Sequence, residues 1–266
     1  MVDNFITYKN SGIHYNRWGT GTKLLLCLHG FGESAQSFGV FDPLLCKKYT
    51  VIAVDMPLHG ETLWNDDLLF TVEDIAAVID DIPEMHKRNF SLMGYSMGGR
   101  VALQLYQYLP DRIEELILIA PDGIKINIWY RFATQNRLGN LIFKRVMRKP
   151  ALFFKVTKAL RRSGMINIGV YNYVHIHLQD ADMRMRLYNI WTTMRRIKPD
   201  IPKIKSLITT NTTKVVLIYG RFDRVIRFTT GEKFRKGIEN FCELHILDSG
   251  HRMLAEKNAA AIATLL

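Results

Sequence analysis

A serine hydroxyl is a weak nucleophile at neutral pH and acts only beside a base that a third group orients. The chain carries residues of all three types at suggestive places. Ser96 lies in Gly94-Tyr95-Ser96-Met97-Gly98-Gly99, a G-x-S-x-G pattern that follows the apolar run Phe90–Met93 and precedes a helical run beginning at Arg100. In that strand–turn–helix setting the serine occupies a tight turn with its hydroxyl outward. A phosphate cradle would need G-x-G-x-x-G or a Walker lysine, and neither is present. His251 follows Asp248-Ser249-Gly250, directly after the last apolar run, and is the expected base. Asp223 ends Tyr219-Gly220-Arg221-Phe222-Asp223, after the preceding run, and is the expected acid. Asp122 is its rival; Asp248 is too near His251 in sequence. The chain order is then Ser, Asp, His.

Such a site needs two N–H donors where negative charge develops, each worth about 2.7–4 kcal/mol of barrier. The amide of Met97, next after the serine, is one expected donor. The amide of Phe31, in His29-Gly30-Phe31-Gly32-Glu33-Ser34, is the other, and Gly30, Tyr95 and Arg100 are candidate substrate contacts. The remaining histidines read differently. His29 and His59 fall in strand-end turns as structural hydrogen-bonders, and His14, His86 and His245 are surface or strand residues. His175 and His177 share one face if extended but have no third ligand, so no metal and no cofactor are expected. The cysteines, Cys27, Cys46 and Cys242, are odd in number and lack C-x-x-C spacing, which points to buried, reduced thiols.

These residues need a frame that gathers strand ends. Apolar runs at Leu24–Leu28, Thr50–Val54, Phe90–Met93, Leu116–Ala120, Lys214–Tyr219 and Glu243–Leu247 are mostly continuous rather than alternating, as in parallel strands covered on both faces. Phe5–Lys9 and Ile13–Trp18 read as a hairpin, and Val72–Asp81 and Met97–Tyr108 as crossover helices. The fold class is therefore α/β, with a mostly parallel, doubly wound sheet. More than ninety residues of helical pattern separate Ala120 from Lys214, far beyond a simple crossover. Residues 122–205 are expected to form a helical cap inserted after the sixth strand, with residues 1–121 and 206–266 as the core. Helical segments are expected at Leu141–Met147, Ala151–Arg162 and Asp182–Arg196, and the tail after Arg252 closes with Ala259–Ala263 facing the sheet.

The charge is uneven. The 266 residues hold 36 Lys+Arg and 25 Asp+Glu, a net of +11, yet residues 121–205 alone hold 18 and 4, a net of +14. This basic segment has three readings. It focuses positive potential on a cleft that takes anionic acyl substrates; it lays helices such as Ala151–Arg162 on an anionic membrane, with Leu152, Phe153, Val156 and Leu160 inward; or it is a solvated outer face. Nucleic acid is not an expected partner, since no recognised binding module accompanies the charge. Met1–Tyr8 has no basic and apolar leader pattern, and the apolar runs fall far short of the roughly 18 residues that cross a bilayer. The chain is expected to be cytoplasmic.

Taken together, Leu28-His29-Gly30-Phe31-Gly32, Asp55-Met56-Pro57-Leu58-His59-Gly60, the Ser96 turn, Gly220-Arg221-Phe222-Asp223 and Gly250-His251 resemble the α/β-hydrolase superfamily, in its cap-bearing esterase and C–C hydrolase-like branch. The resemblance covers nearly the whole chain. It implies a serine hydrolase that cleaves a small carboxylic ester or thioester through a covalent acyl-enzyme. Ser96 at the nucleophile position disfavours the dehalogenase and epoxide hydrolase branches, which attack with a carboxylate. The run from Gly94 to Arg100 is also similar to the menaquinone-pathway elimination enzymes, where an arginine after the serine holds a substrate carboxylate. Two further readings follow: a C–C hydrolase or elimination enzyme anchored by Arg100, and a non-catalytic ligand-binding protein that keeps the fold.

Overall fold

The computed structural model describes residues 2–126, 128–164 and 178–266. His175 and His177 lie outside the described residues. Eight strands form one sheet: β1 (Val2–Tyr8), β2 (Ser11–Trp18), β3 (Lys23–Leu28), β4 (Tyr49–Val54), β5 (Phe90–Tyr95), β6 (Ile113–Ile119), β7 (Lys214–Gly220) and β8 (Cys242–Leu247), in the order β1-β2-β4-β3-β5-β6-β7-β8. β1 and β2 form an antiparallel hairpin in which Tyr8 pairs with Ser11, and β2 runs antiparallel to β4. From β4 to β8 every pairing is parallel. This is the mostly parallel sheet that the apolar runs foretold. β4 and β5 are buried along their whole length, whereas edge strand β8 is buried only at Cys242.

The helices follow local signals. α1 (Asp42–Leu45) is a single turn, and α2 (Val72–Asp81) starts in a capping box where the Thr71 hydroxyl accepts from the Asp74 amide. α3 (Met97–Tyr108) follows Ser96 directly. Next come α4 (Ile128–Gln135), α5 (Arg137–Arg148), α6 (Ala151–Arg162), α7 (Ala181–Thr193), α8 (Ile201–Asn211), α9 (Thr229–Arg235) and α10 (Glu256–Ala263). α10 is the helix expected after Arg252; it buries Asn258, Ala259 and Ile262, while Ala260 and Ala261, expected against the sheet, are exposed because they fall on the opposite side of the helix.

The chain divides into two compact units. The first comprises Met1–Asp66, Phe70–Lys125 and Arg196–Leu266; the second comprises Asp67–Leu69 and Ile126–Arg195. Residues 196–205, expected in the insertion, belong to the first unit. A new helix begins here, after the break at Pro199: the Asp200 carboxylate accepts from the Lys203 amide, and Pro202 fits the first turn of α8. In the second unit Met147, Leu178 and Tyr188 are buried against Phe143, Val146, Phe153 and Phe154. Arg184 is buried there too, donating to the carbonyls of Met147 and Leu178 at 2.8 Å each. In α6, Phe153 and Leu160 are half-buried, whereas Leu152 and Val156 are 72% and 47% exposed. Phe154 and Thr157 complete the inner face instead, so the inward stripe runs through 153, 154, 157 and 160.

Cys27 and Cys242 are buried, Cys46 half-buried, and all three are free thiols. Burial raises Cys27 well above the ordinary thiol value and pushes Cys242 up to about 12.

Candidate active site

Parallel strands deliver their C-terminal ends to one edge of the sheet, and the candidate residues all follow such ends. Ser96 stands between β5 and α3 with φ 52° and ψ −116°, a conformation that costs a non-glycine residue about 1–3 kcal/mol. The surroundings hold it there. The Ser96 amide donates to the Ile119 carbonyl at 3.0 Å, and its carbonyl accepts from the amides of Gly99 at 2.9 Å and Asp122 at 2.8 Å. Gly98 is required by close approach: a Cβ there would lie 1.9 Å from the Leu28 carbonyl oxygen. The turn after β3 thus packs directly on the start of α3.

The Ser96 Oγ is 3.0 Å from His251 Nε2, and His251 Nδ1 is 2.7 Å from Asp223 Oδ2. Asp223 is buried, and its second oxygen, Oδ1, accepts from the amides of Val225 at 2.7 Å and Ile226 at 2.9 Å. With one oxygen fixed by the backbone, the other is aimed at the imidazole. Because a carboxylate only accepts, Nδ1 carries the proton and Nε2 presents a lone pair to the serine. His251 keeps 23% of its side chain exposed, so the imidazole is not sealed from solvent.

The loop bearing His251 is held on three sides. Phe222 donates its amide to the Ser249 carbonyl at 2.9 Å, and Gly220 permits this contact, since a Cβ there would sit 2.5 Å from the Ser249 and Gly250 carbonyl oxygens. The buried Asn258 of α10 points its amide nitrogen at the Ser249 hydroxyl and the Met253 carbonyl, 3.1 Å each. The Tyr95 hydroxyl donates to the His251 carbonyl at 2.7 Å. Burial pushes the Tyr95 phenol up to about 12, which keeps it a donor. Asn258 escaped sequence reasoning, and Tyr95, a candidate substrate contact, faces the protein instead.

The other candidates are placed as follows. A Cβ on Gly30 would lie 3.1 Å from the Ser96 Cβ, so the turn after β3 stands over the serine. Phe31 follows it, its ring edge-on to His59 at 6.0 Å between centroids. Met97 is the first residue of α3, where an N–H has no acceptor within the helix. Arg100 is buried, and its Nε is 3.4 Å from Asp122 Oδ2. The guanidinium therefore faces a protein carboxylate, and Asp122, the rival acid, pairs with it rather than with His251. His29 and His59 make the structural bonds expected of them, to the carbonyls of Gly30 at 2.8 Å and Pro57 at 3.0 Å. His14, expected at a surface or strand position, is a buried strand residue 2.7 Å from Asp55. Among the described residues no group of three His, Cys, Asp or Glu is placed to hold a metal ion, and no helix is long and apolar enough to cross a membrane.

Ser96, His251 and the buried Asp223 thus lie within hydrogen-bond reach of one another at one edge of this sheet. The chain belongs to the alpha/beta hydrolase fold family, whose model matches residues 23–257. It is 23% identical over 255 residues to the uncharacterized hydrolase YugF of Bacillus subtilis (strain 168), covering 94% of this chain and 92% of that one. It is 25% identical over 246 residues to the monoacylglycerol lipase ABHD6 of Homo sapiens, covering 88% and 71%. Among solved structures it is similar to a thermophilic esterase from Thermogutta terrifontis in a malate-bound form, with a TM-score of 0.69, 19% identity and coverage of 100% and 97%.

Proposed function

We propose that this hydrolase cleaves a small carboxylic ester or thioester by way of an acyl-enzyme on Ser96. The observation that carries the reading is the pair of distances through His251, 3.0 Å to Ser96 and 2.7 Å to Asp223. Ser96 Oγ attacks the acyl carbonyl while His251 Nε2 takes its proton. Asp223 holds the imidazole and stabilises the imidazolium. The amides of Met97 and Phe31 receive the negative charge on the carbonyl oxygen. Collapse breaks the bond to the leaving group, which takes its proton from His251. Water then attacks the acyl-enzyme by the same route in reverse, freeing the acid and restoring Ser96. The described groups close this cycle without a cofactor.

The relative named as a lipase supports an ester substrate, and the paired Arg100–Asp122 weakens the alternative in which Arg100 anchors a carboxylate for C–C cleavage or elimination. We assign the helical insertion, residues 126–195, the part of a cap, with its positive charge drawing anionic substrates, and we place the enzyme in the cytoplasm. A chain-length series of p-nitrophenyl esters tests the reaction. An initial burst of nitrophenol matching the enzyme concentration, absent in Ser96→Ala, is expected. Equal turnover by the parent and Ser96→Ala would overturn the proposal.

A further inference from the structure

Two helices of the second unit carry bulky apolar residues on both faces. In α5, Phe143, Val146 and Met147 turn to the buried cluster around Tyr188. Leu138, Leu141 and Ile142 face outward, 63%, 65% and 44% exposed. Their spacing of i, i+3 and i+4 makes a single stripe, which exposed Arg145 continues one turn on. α6 repeats the arrangement: Phe153 and Phe154 face the cluster, while Leu152 and Val156 stand outward one turn apart with exposed Lys155 between them. Residues 137–162 contain nine Lys or Arg and no Asp or Glu.

A face that only meets water has no use for four large aliphatic side chains and a valine in such a short span. A second copy of the same helices would set nine cations against nine. Nucleic acid would engage the cations and leave the leucines unused. A bilayer rich in anionic lipid satisfies both features, since aliphatic side chains enter the acyl boundary while lysines and arginines meet the headgroups.

We propose that α5 and α6 dock this protein on an anionic membrane surface through Leu138, Leu141, Ile142, Leu152 and Val156, ringed by basic side chains. The inference is independent of the hydrolase reading. It is tested by co-sedimentation of the full chain with mixed phosphatidylcholine–phosphatidylserine vesicles and with pure phosphatidylcholine vesicles. Strong binding to the mixed vesicles is expected, falling as salt rises from 0.01 to 0.1 M, where the screening length shortens from about 30 to about 10 Å. Arg145→Gln with Lys155→Gln should lower affinity about 25-fold, roughly fivefold for each charge. Leu141→Gln with Leu152→Gln should lower it at least tenfold on the apolar term alone. All four positions are exposed, so circular dichroism should be unchanged, and Ser96→Ala should bind as the parent does. No binding to the mixed vesicles, equal binding to both vesicle types, or indifference to either double variant would overturn the proposal. So would sedimentation velocity showing a dimer that Leu141→Gln with Leu152→Gln dissolves and that does not bind vesicles, or RNA binding in place of vesicle binding.

Discussion

The hydroxyl of Tyr95 donates a 2.7 Å hydrogen bond to the carbonyl oxygen of His251, so the residue just before Ser96 holds the backbone of the residue facing Ser96. The two rings also lie 5.6 Å apart between centroids. One side chain thus sets the spacing between nucleophile and base. Tyr95→Phe keeps the ring and removes the bond. We expect kcat on a p-nitrophenyl ester to fall about fivefold with KM little changed, consistent with a net contribution of about 1 kcal/mol for such a bond. A rise in KM with unchanged kcat would place Tyr95 against the substrate instead.

Asp223 and Asp122 can be told apart by the same substitution. Asp223→Asn would leave the imidazole in the wrong tautomer, and kcat should fall by up to roughly 10⁴, as in the serine-protease template. Asp122→Asn removes the charge facing Arg100 and should cost stability rather than turnover. Steady-state kinetics with thermal melts on both variants decides. Reversed effects would make Asp122 the acid.

Asn258 lies seven residues beyond His251 and meets no substrate. Asn258→Ala removes the donor to the buried Ser249 hydroxyl and one of two donors to the Met253 carbonyl, which keeps the Ala255 amide at 2.9 Å. Losing hydrogen bonds in a buried place costs about 1–3 kcal/mol, so the melting temperature should drop and kcat should fall with it. Asn258→Asp, which accepts but does not donate, should fail to rescue either. Full activity in both variants would show that the loop holds His251 without help.

The reach of sequence reasoning follows from these contacts. Ser96, Asp223 and His251 were legible because each lies a few residues past a continuous apolar run, and parallel strands bring such ends to one edge. Asn258 was not, because a single asparagine in an alanine-rich helix has no period or spacing that reveals a bond to a loop. The outward leucines of α5 were hidden by the rule that periodic apolar residues face the core. The break at Pro199 was legible, and Asp200 with Pro202, a cap followed by a first-turn proline, signals the start of α8, but neither reveals that this helix packs with the core unit.

Alkaline pH should unfold this protein early. Burial pushes Tyr49 and Tyr95 from the ordinary value near 10 up to about 12, and raises Tyr219 further. Below pH 10 these phenols are protonated in both folded and unfolded chains. Between about pH 10 and 12 the unfolded chain releases their protons and the folded chain does not, so stability falls as pH rises. Melting temperatures measured from pH 8 to 11.5 should decline steeply above about 10, and Tyr95→Phe should decline less steeply. A flat profile would contradict the burial of these phenols.

The central claim is that Ser96 is the nucleophile made reactive by His251. A fluorophosphonate probe forms a stable adduct only with a serine activated in this way, and intact mass with peptide mapping locates it. One adduct per chain, on Ser96, is expected, with none in Ser96→Ala and a much slower rate in His251→Ala. An adduct on another residue, or undiminished labelling of Ser96→Ala, would contradict the account.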